Sequence, residues 1–424
     1  MTKHVILGNG PAGVVAAEVI KQYAPADDVL VLGDEPIPPY SRMAIPYLLM
    51  GKCDETGTYL RKTPGHFERL GIRMRTVRAR AVSAKDRLVF LEDGTSIPFD
   101  RLLIATGSKP MRPPIPGIEL RGVHPCWTLE DARHIAALAT PGSRVLQMGA
   151  GFIGCIILES LAARGVQLSV VEMGDRMVPR MMGQGAGGMI KRWVESKGVK
   201  VYTSTRVEKI VEGGPQARLE VWLSGGERLP VDLVISATGV QPNIGFLRGS
   251  GIDCRRGVVT DDRLQTHVPG IYAAGDCAEA YDAITDTWMV SAIQPNAVEQ
   301  AACAAKNMVG REARQPAVTY INVLDTMGLI SCSFGQWQGV AGGESVELAD
   351  AEGYRYLRLE FEDDILVGAN AIGLTEHVGV LRGLVEQRIQ LGAWKDKLLR
   401  DPTLLPEAYL ASAQAQDRWA WPGA

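Results

Sequence analysis

His4-Val5-Ile6-Leu7-Gly8-Asn9-Gly10-Pro11-Ala12-Gly13 opens the chain and decides its fold. A short aliphatic run, Val5 to Leu7, leads into glycines at 8, 10 and 13, and Val14 to Ile20 reads on as a helix. A strand, a glycine turn and a helix N-terminus together make a site for a dinucleotide pyrophosphate. Gly8 permits the tight turn, Gly10 lets the backbone approach the phosphates, and Gly13 lets helix and strand pack closely. Pro11 and Ala12 lie in the first helical turn, whose unpaired N–H groups face the anion.

Outward from this stretch, Asp28 to Leu32 reads as a second parallel strand ending in acid at Asp34-Glu35. Glu35 lies about twenty residues beyond Gly13, where a carboxylate accepts hydrogen bonds from ribose hydroxyls. The stiff segment Pro36-Ile37-Pro38-Pro39-Tyr40-Ser41-Arg42 follows, and its arginine is a candidate partner for phosphate or flavin oxygens. Helical patches fall at Ala44 to Met50 and Phe67 to Leu70. Arg78 to Phe90 alternates like strands, with Glu92-Asp93-Gly94 as a hairpin turn. Arg101-Leu102-Leu103-Ile104-Ala105-Thr106-Gly107 is a buried strand that ends in small residues, and prolines at 110, 113, 114 and 116 mark a domain crossing.

The opening unit then recurs. Ser143 to Met148 is a strand, Gly149-Ala150-Gly151-Phe152-Ile153-Gly154 repeats the turn, and a helix runs on from Cys155. The strand Gln167 to Val171 ends at Glu172, which favours NAD because a carboxylate there repels the 2′-phosphate of NADP. Arg176 and Arg180 keep NADP as a minority reading. About ninety residues past each glycine turn stands a matching strand end, Ala105-Thr106-Gly107 and then Ala237-Thr238-Gly239. The same unit used twice implies two dinucleotide sites. A third signal is Tyr272-Ala273-Ala274-Gly275-Asp276, where the glycine allows close approach and Asp276 can bind a polyol chain. Gln294-Pro295-Asn296-Ala297 opens a helix whose positive end would face an electron-rich ring. From Val318 the pattern changes. Val318 to Cys332 and Tyr354 to Val367 alternate like antiparallel strands, and His377 to Leu391 and Trp394 to Leu399 read as helices. Trp419 and Trp421 on the last residues read either as packed on their own domain or as an anchor for a partner.

Composition narrows the class. The 424 residues carry a formal charge of -3, giving no global reason to expect nucleic acid. No secretory leader fits before the first strand, and no apolar run approaches the ~18 residues of a spanning helix. A cytoplasmic protein without membrane insertion is expected. The seven cysteines include no C-x-x-C pair, and the six histidines are scattered. No metal site, iron–sulfur ligation or local redox disulfide is expected from this chain.

On these five ordered motifs the chain resembles the FAD/NAD-linked two-dinucleotide flavoproteins, the pyridine nucleotide–disulfide oxidoreductase superfamily, over residues 3 to 310. The resemblance implies an α/β fold of two Rossmann-like domains, the NAD domain inserted in the FAD domain, plus a C-terminal α+β domain. The expected boundaries are 1–115 and 244–317 for FAD, 116–243 for NAD(P), and 318–424 for the last domain. It implies FAD on the first unit, with Gly8, Gly10, Pro11, Ala12, Gly13, Glu35, Arg42, Ala105, Thr106, Gly107, Gly275, Asp276 (at the ribityl chain) and Ala297. NAD(H) is implied on the second, with Gly149, Gly151, Phe152, Ile153, Gly154, Glu172 and Gly239. Disulfide-reducing members carry a reactive cysteine where this chain reads Tyr40-Ser41-Arg42-Met43-Ala44-Ile45-Pro46, and many carry glutamate where it has Ile156. Thiol chemistry of that kind is therefore not expected.

Pro38-Pro39-Tyr40-Ser41-Arg42 looks like the segment of ferredoxin, rubredoxin and nitrite reductase-type members. Overall likeness is to reductase subunits serving iron–sulfur oxidoreductases, such as the FAD subunit of phenylglyoxylate dehydrogenase complexes. The expectation is hydride transfer between nicotinamide and flavin with no catalytic side chain, coupled to an iron–sulfur protein or subunit, in a hetero-oligomer or a homodimer. The alternatives are a freestanding NAD(P)H oxidase or rubredoxin/ferredoxin reductase, and a flavin-binding assembly or sensor protein.

Overall fold

A computed structural model of the chain describes residues 1–215, 217–282, 287–315 and 321–415. Their contacts divide the chain into two compact units. The first comprises residues 1–111, 127–129 and 240–318, and the second residues 112–126, 130–239 and 319–424. Trp419 and Trp421 lie outside the described residues.

The first unit is built on a parallel five-stranded sheet. Its order is Ile271–Ala273, Arg101–Ile104, Lys3–Leu7, Asp28–Gly33 and Ile72–Thr76. Val5, Ile6 and Leu7 are buried on both faces, as a central parallel strand demands. The helix Pro11–Tyr23 packs one side of this sheet, with Ala16, Ala17 and Ile20 buried against the helix Gln294–Met308. The chain leaves Lys3–Leu7 first toward Asp28–Gly33 and only later fills the other side with Arg101–Ile104. Ligands of such sheets bind beyond the strand ends at this reversal.

The second unit repeats the plan. Its parallel sheet runs Lys200–Tyr202, Gln167–Val171, Arg144–Met148, Leu233–Ser236 and Val123–His124. Each unit also carries a three-stranded antiparallel meander in the corresponding place. It comprises Ala79–Ser83, Leu88–Leu91 and Ser96–Pro98 in the first, and Val207–Glu212, Leu219–Leu223 and Arg228–Val231 in the second.

Residues 321–415 add an antiparallel five-stranded sheet to the second unit, with three helices, Val378–Glu386, Ala393–Arg400 and Leu405–Ala415, and a core of their own. Within the run expected to alternate like antiparallel strands up to Cys332, the described residues form a hairpin, Ile321–Thr326 and Leu329–Gly335. It turns through Met327 and Gly328, both at positive φ, as a two-residue hairpin requires. Asp363, also at positive φ, likewise divides the second run into Arg355–Glu362 and Ile365–Ile372.

Candidate functional site

The two glycine turns are built alike. The amide of Gly8 donates to Leu32 O at 2.7 Å and that of Ala105 to Leu7 O at 2.8 Å. In the second unit Gly149 donates to Val171 O and Ala237 to Met148 O, each at 2.8 Å. Gly8 and Gly149 have φ of 110° and 96°. A Cβ on Gly8 would overlap the carbonyl of Ala105, and one on Gly149 that of Ala237. Gly13 and Gly154 in turn lie on the carbonyls of Gly8 and Gly149. Gly10 and Gly151 face open space, each at the N-cap of its helix, and neither first turn carries an acidic residue. These are two cradles whose free volume lies where an anion would meet the helix end.

Beside the first cradle is a cavity of about 350 Å³ lined by Asn9, Gly33, Pro36, Pro39, Met74 and Thr76 among others. Glu35 lies just past Gly33. Its Oε2 accepts from Tyr40 Oη at 2.6 Å and its Oε1 from the Arg42 guanidinium at 2.9 Å. Burial, countered by Arg42, pushes the Tyr40 hydroxyl pKa upward, so it stays a donor. Two lone pairs per oxygen leave Glu35 room for further hydrogen bonds.

At the other end of the site, Gly275 has φ of 80°, a conformation that favours glycine, and lies beside Ala12 and Ala297. Its amide donates to Gln300 Oε1 at 2.8 Å. Asp276 is largely buried and accepts from Ser108 Oγ at 2.6 Å; burial raises its pKa while Ser108 and Arg42 hold it down. Thr106 Oγ1 donates to Asn243 O at 2.8 Å, and Asn243 N to Gly107 O at 2.9 Å. Ser41 Oγ donates to Gln294 Oε1 at 2.7 Å, tying the proline-rich segment to the start of the helix Gln294–Met308. The first unit thus brings together Gly8 to Gly13, Glu35, Arg42, Ala105 to Gly107, Gly275, Asp276 and Ala297. Tyr40, Ser108, Trp127, Asn243, Gln294 and Gln300 complete the cluster, and sequence reasoning gave none of them a role.

In the second unit both Glu172 oxygens accept backbone amides, Ala150 N at 2.8 Å and Gly174 N at 2.7 Å. Arg176 is engaged by the carbonyls of Met182 and Pro179 and by Asp175, while Arg180 is exposed. Phe152, Ile153 and Gly154 open the helix Phe152–Ala162, and Gly239 ends the strand region at φ of 110°.

Burial pushes Cys126, Cys155 and Cys332 up to about 12, and Cys277 and Cys303 up to about 11. Met43, in the segment where disulfide-reducing relatives carry the cysteine, is exposed. Among the described residues, no group of three or more His, Cys, Asp or Glu is placed to hold a metal. Among the same residues, no helix is long and apolar enough to cross a membrane.

Paired cradles, each with a carboxylate past its second strand, define a two-dinucleotide flavoprotein. Residues 2–306 match the family described as pyridine nucleotide-disulphide oxidoreductase, and the chain belongs to that family. It is an oxidoreductase that uses FAD and NAD(H). Over 405 residues it is 30% identical to the subunit epsilon of NADH-dependent phenylglyoxylate dehydrogenase from Aromatoleum evansii, covering 95% of each chain. It is 33% identical over 321 residues to an NADH oxidase of Methanocaldococcus jannaschii, covering 73% of this chain and 70% of that one. In fold it matches putidaredoxin reductase, solved in covalent complex with putidaredoxin, at a TM-score of 0.89 and 23% identity, over 97% of this chain and 99% of that one.

Proposed function

We propose that this chain carries electrons between NAD(H) and an iron–sulfur protein or subunit, as the reductase subunit of a 2-oxoacid dehydrogenase complex of the phenylglyoxylate type. The observation that carries the proposal is its end-to-end likeness to subunit epsilon of such an enzyme. When bound, FAD would supply two-electron exchange with nicotinamide and one-electron exchange with an iron–sulfur centre. This chain's share is positioning. The amides beyond Gly10 and Gly151 take the pyrophosphates, and Glu35 and Glu172 take ribose hydroxyls. Asp276, held by Ser108, takes the ribityl chain, and the start of the helix Gln294–Met308 places positive potential beside the flavin. Glu172 and the engaged Arg176 favour NAD over NADP. The FAD domain is assigned to 1–115 and 244–317, the NAD domain to 116–243 and the C-terminal domain to 318–424. The protein acts in the cytoplasm, in a hetero-oligomer or as a homodimer.

The likeness to an NADH oxidase favours a second reading, a freestanding oxidase. Stopped-flow reduction by NADH, followed by reoxidation with oxygen or with an oxidised iron–sulfur protein, separates the two. Faster reoxidation by the iron–sulfur protein is expected. Rapid turnover with oxygen alone supports the oxidase.

A further inference from the structure

Three residues, Trp127 to Leu129, belong to the first unit although the chain on both sides of them belongs to the second. Trp127 Nε1 donates to the carbonyl of Ser108 at 3.0 Å, and the hydroxyl of that same serine holds Asp276. The Arg42 guanidinium stands over the Trp127 ring, 5.1 Å from its centroid, while its Nη2 pairs with Glu35. The amide of Leu129 donates to Tyr40 Oη at 3.4 Å, and Tyr40 donates onward to Glu35. One connected set of contacts therefore runs from the carboxylate at the ribose end of the first cleft to the carboxylate at its ribityl end. The short excursion of chain closes it.

We propose that Trp127 is a positioning residue for FAD: its ring holds the Arg42 guanidinium against Glu35, fixing the positive charge the dinucleotide meets. Arg42 is more than a third exposed, and an unrestrained arginine there would sample many rotamers. A ring on one side and a carboxylate on the other remove most of that freedom before the ligand arrives. Preorganisation of this kind appears as affinity. The indole N–H, bonded to the backbone carbonyl of Ser108, anchors the ring in that position.

The proposal rests on FAD occupying the first cleft. The test is calorimetric titration of FAD into the apo-protein for Trp127→Ala, Trp127→Phe, Arg42→Met and the double variant Trp127→Ala with Arg42→Met. Trp127→Ala should weaken FAD about 5- to 20-fold, the size of a partly desolvated cation–π contact. Trp127→Phe, which keeps a ring under the guanidinium, should recover most of that loss. In the Arg42→Met background the removal of Trp127 should cost nothing more, a non-additivity that a merely structural tryptophan would not produce. NAD⁺ affinity serves as the folding control and should stay constant across the series. Wild-type affinity in Trp127→Ala, or a loss that persists in full without Arg42, overturns the proposal. If Trp127→Ala does not fold, a loss in Trp127→Phe as large as that in Arg42→Met does the same. Wild-type protein that takes up no FAD would instead overturn the assignment of the cleft.

Discussion

The carbonyl oxygen of Ala105 occupies the space that a side chain on Gly8 would need. Gly149 stands in the same relation to Ala237. In each unit the glycine turn and the small-residue strand end are thus two halves of one steric fit, which explains why these residue types recur together along the chain. Gly8→Ala should therefore yield protein without FAD. The positive φ alone costs about 1–2 kcal/mol for a residue with a Cβ, and the overlap adds to it. Gly149→Ala should keep its FAD and lose reduction by NADH. Flavin content after purification and anaerobic reduction by NADH check both. A Gly149→Ala protein reduced at the wild-type rate would remove the second cradle from the nicotinamide path.

Glu172 binds two backbone amides with one carboxylate, so it shapes the turn at which it is proposed to meet the ribose. Hydrogen bonds to a charged group contribute about 1.5–3 kcal/mol each. Glu172→Ala should raise KM for NADH roughly 10- to 100-fold. Glu172→Gln, which keeps an acceptor but drops the charge, should lose less and should raise the use of NADPH relative to NADH. Steady-state kcat/KM with both nucleotides is the measurement; an unchanged preference in Glu172→Gln would mean that the charge does not select the cofactor.

Five of the seven cysteines should be silent in the native protein, because burial keeps their thiols protonated. Cys254 is exposed and Cys53 half-buried. Titration with an aromatic disulfide reagent near pH 8 should modify Cys254 first and no more than these two, with all seven reacting after denaturation. Blocking Cys254 should leave flavin reduction by NADH unchanged.

His4 sits fully buried in the strand Lys3–Leu7, its Nε2 3.0 Å from Asp27. Burial lowers its pKa from 6.5 and outweighs Asp27, which pulls the other way. The folded chain then resists a proton that the unfolded chain accepts. This contribution to stability is present above the unfolded value of 6.5 and is lost as pH falls through the lower folded value. Asp27, held below its usual value partly by the Thr2 amide and His4, acts in the same direction at lower pH. The melting temperature should fall between pH 7 and pH 5, and His4→Gln, which cannot titrate, should flatten that slope. An equal slope in both proteins would assign the pH dependence elsewhere.

The framework was readable because its key positions tolerate one residue type. Gly8, Gly13, Gly149 and Gly154 lie against backbone, and only a missing Cβ fits. The cluster of Tyr40, Ser108, Trp127 and Gln300 carries no such local signature. Their places in it depend on contacts made by the fold, as that of Ser108 does on Asp276. The position of the Met327-Gly328 turn has no local signature either, because methionine is not a residue that announces positive φ. The helix Leu405–Ala415 shows a short stripe of Leu405, Ala408 and Ser412, and the serine obscured its buried face.

The proposed function requires that NADH reduce bound FAD with no protein thiol as an intermediate carrier. Anaerobic titration of the FAD-loaded protein with NADH, followed by flavin absorbance, tests it most directly. One equivalent of NADH per FAD should bleach the flavin completely, without a thiolate-to-flavin charge-transfer band. A requirement for two equivalents, or a flavin that NADH leaves oxidised, would contradict the account.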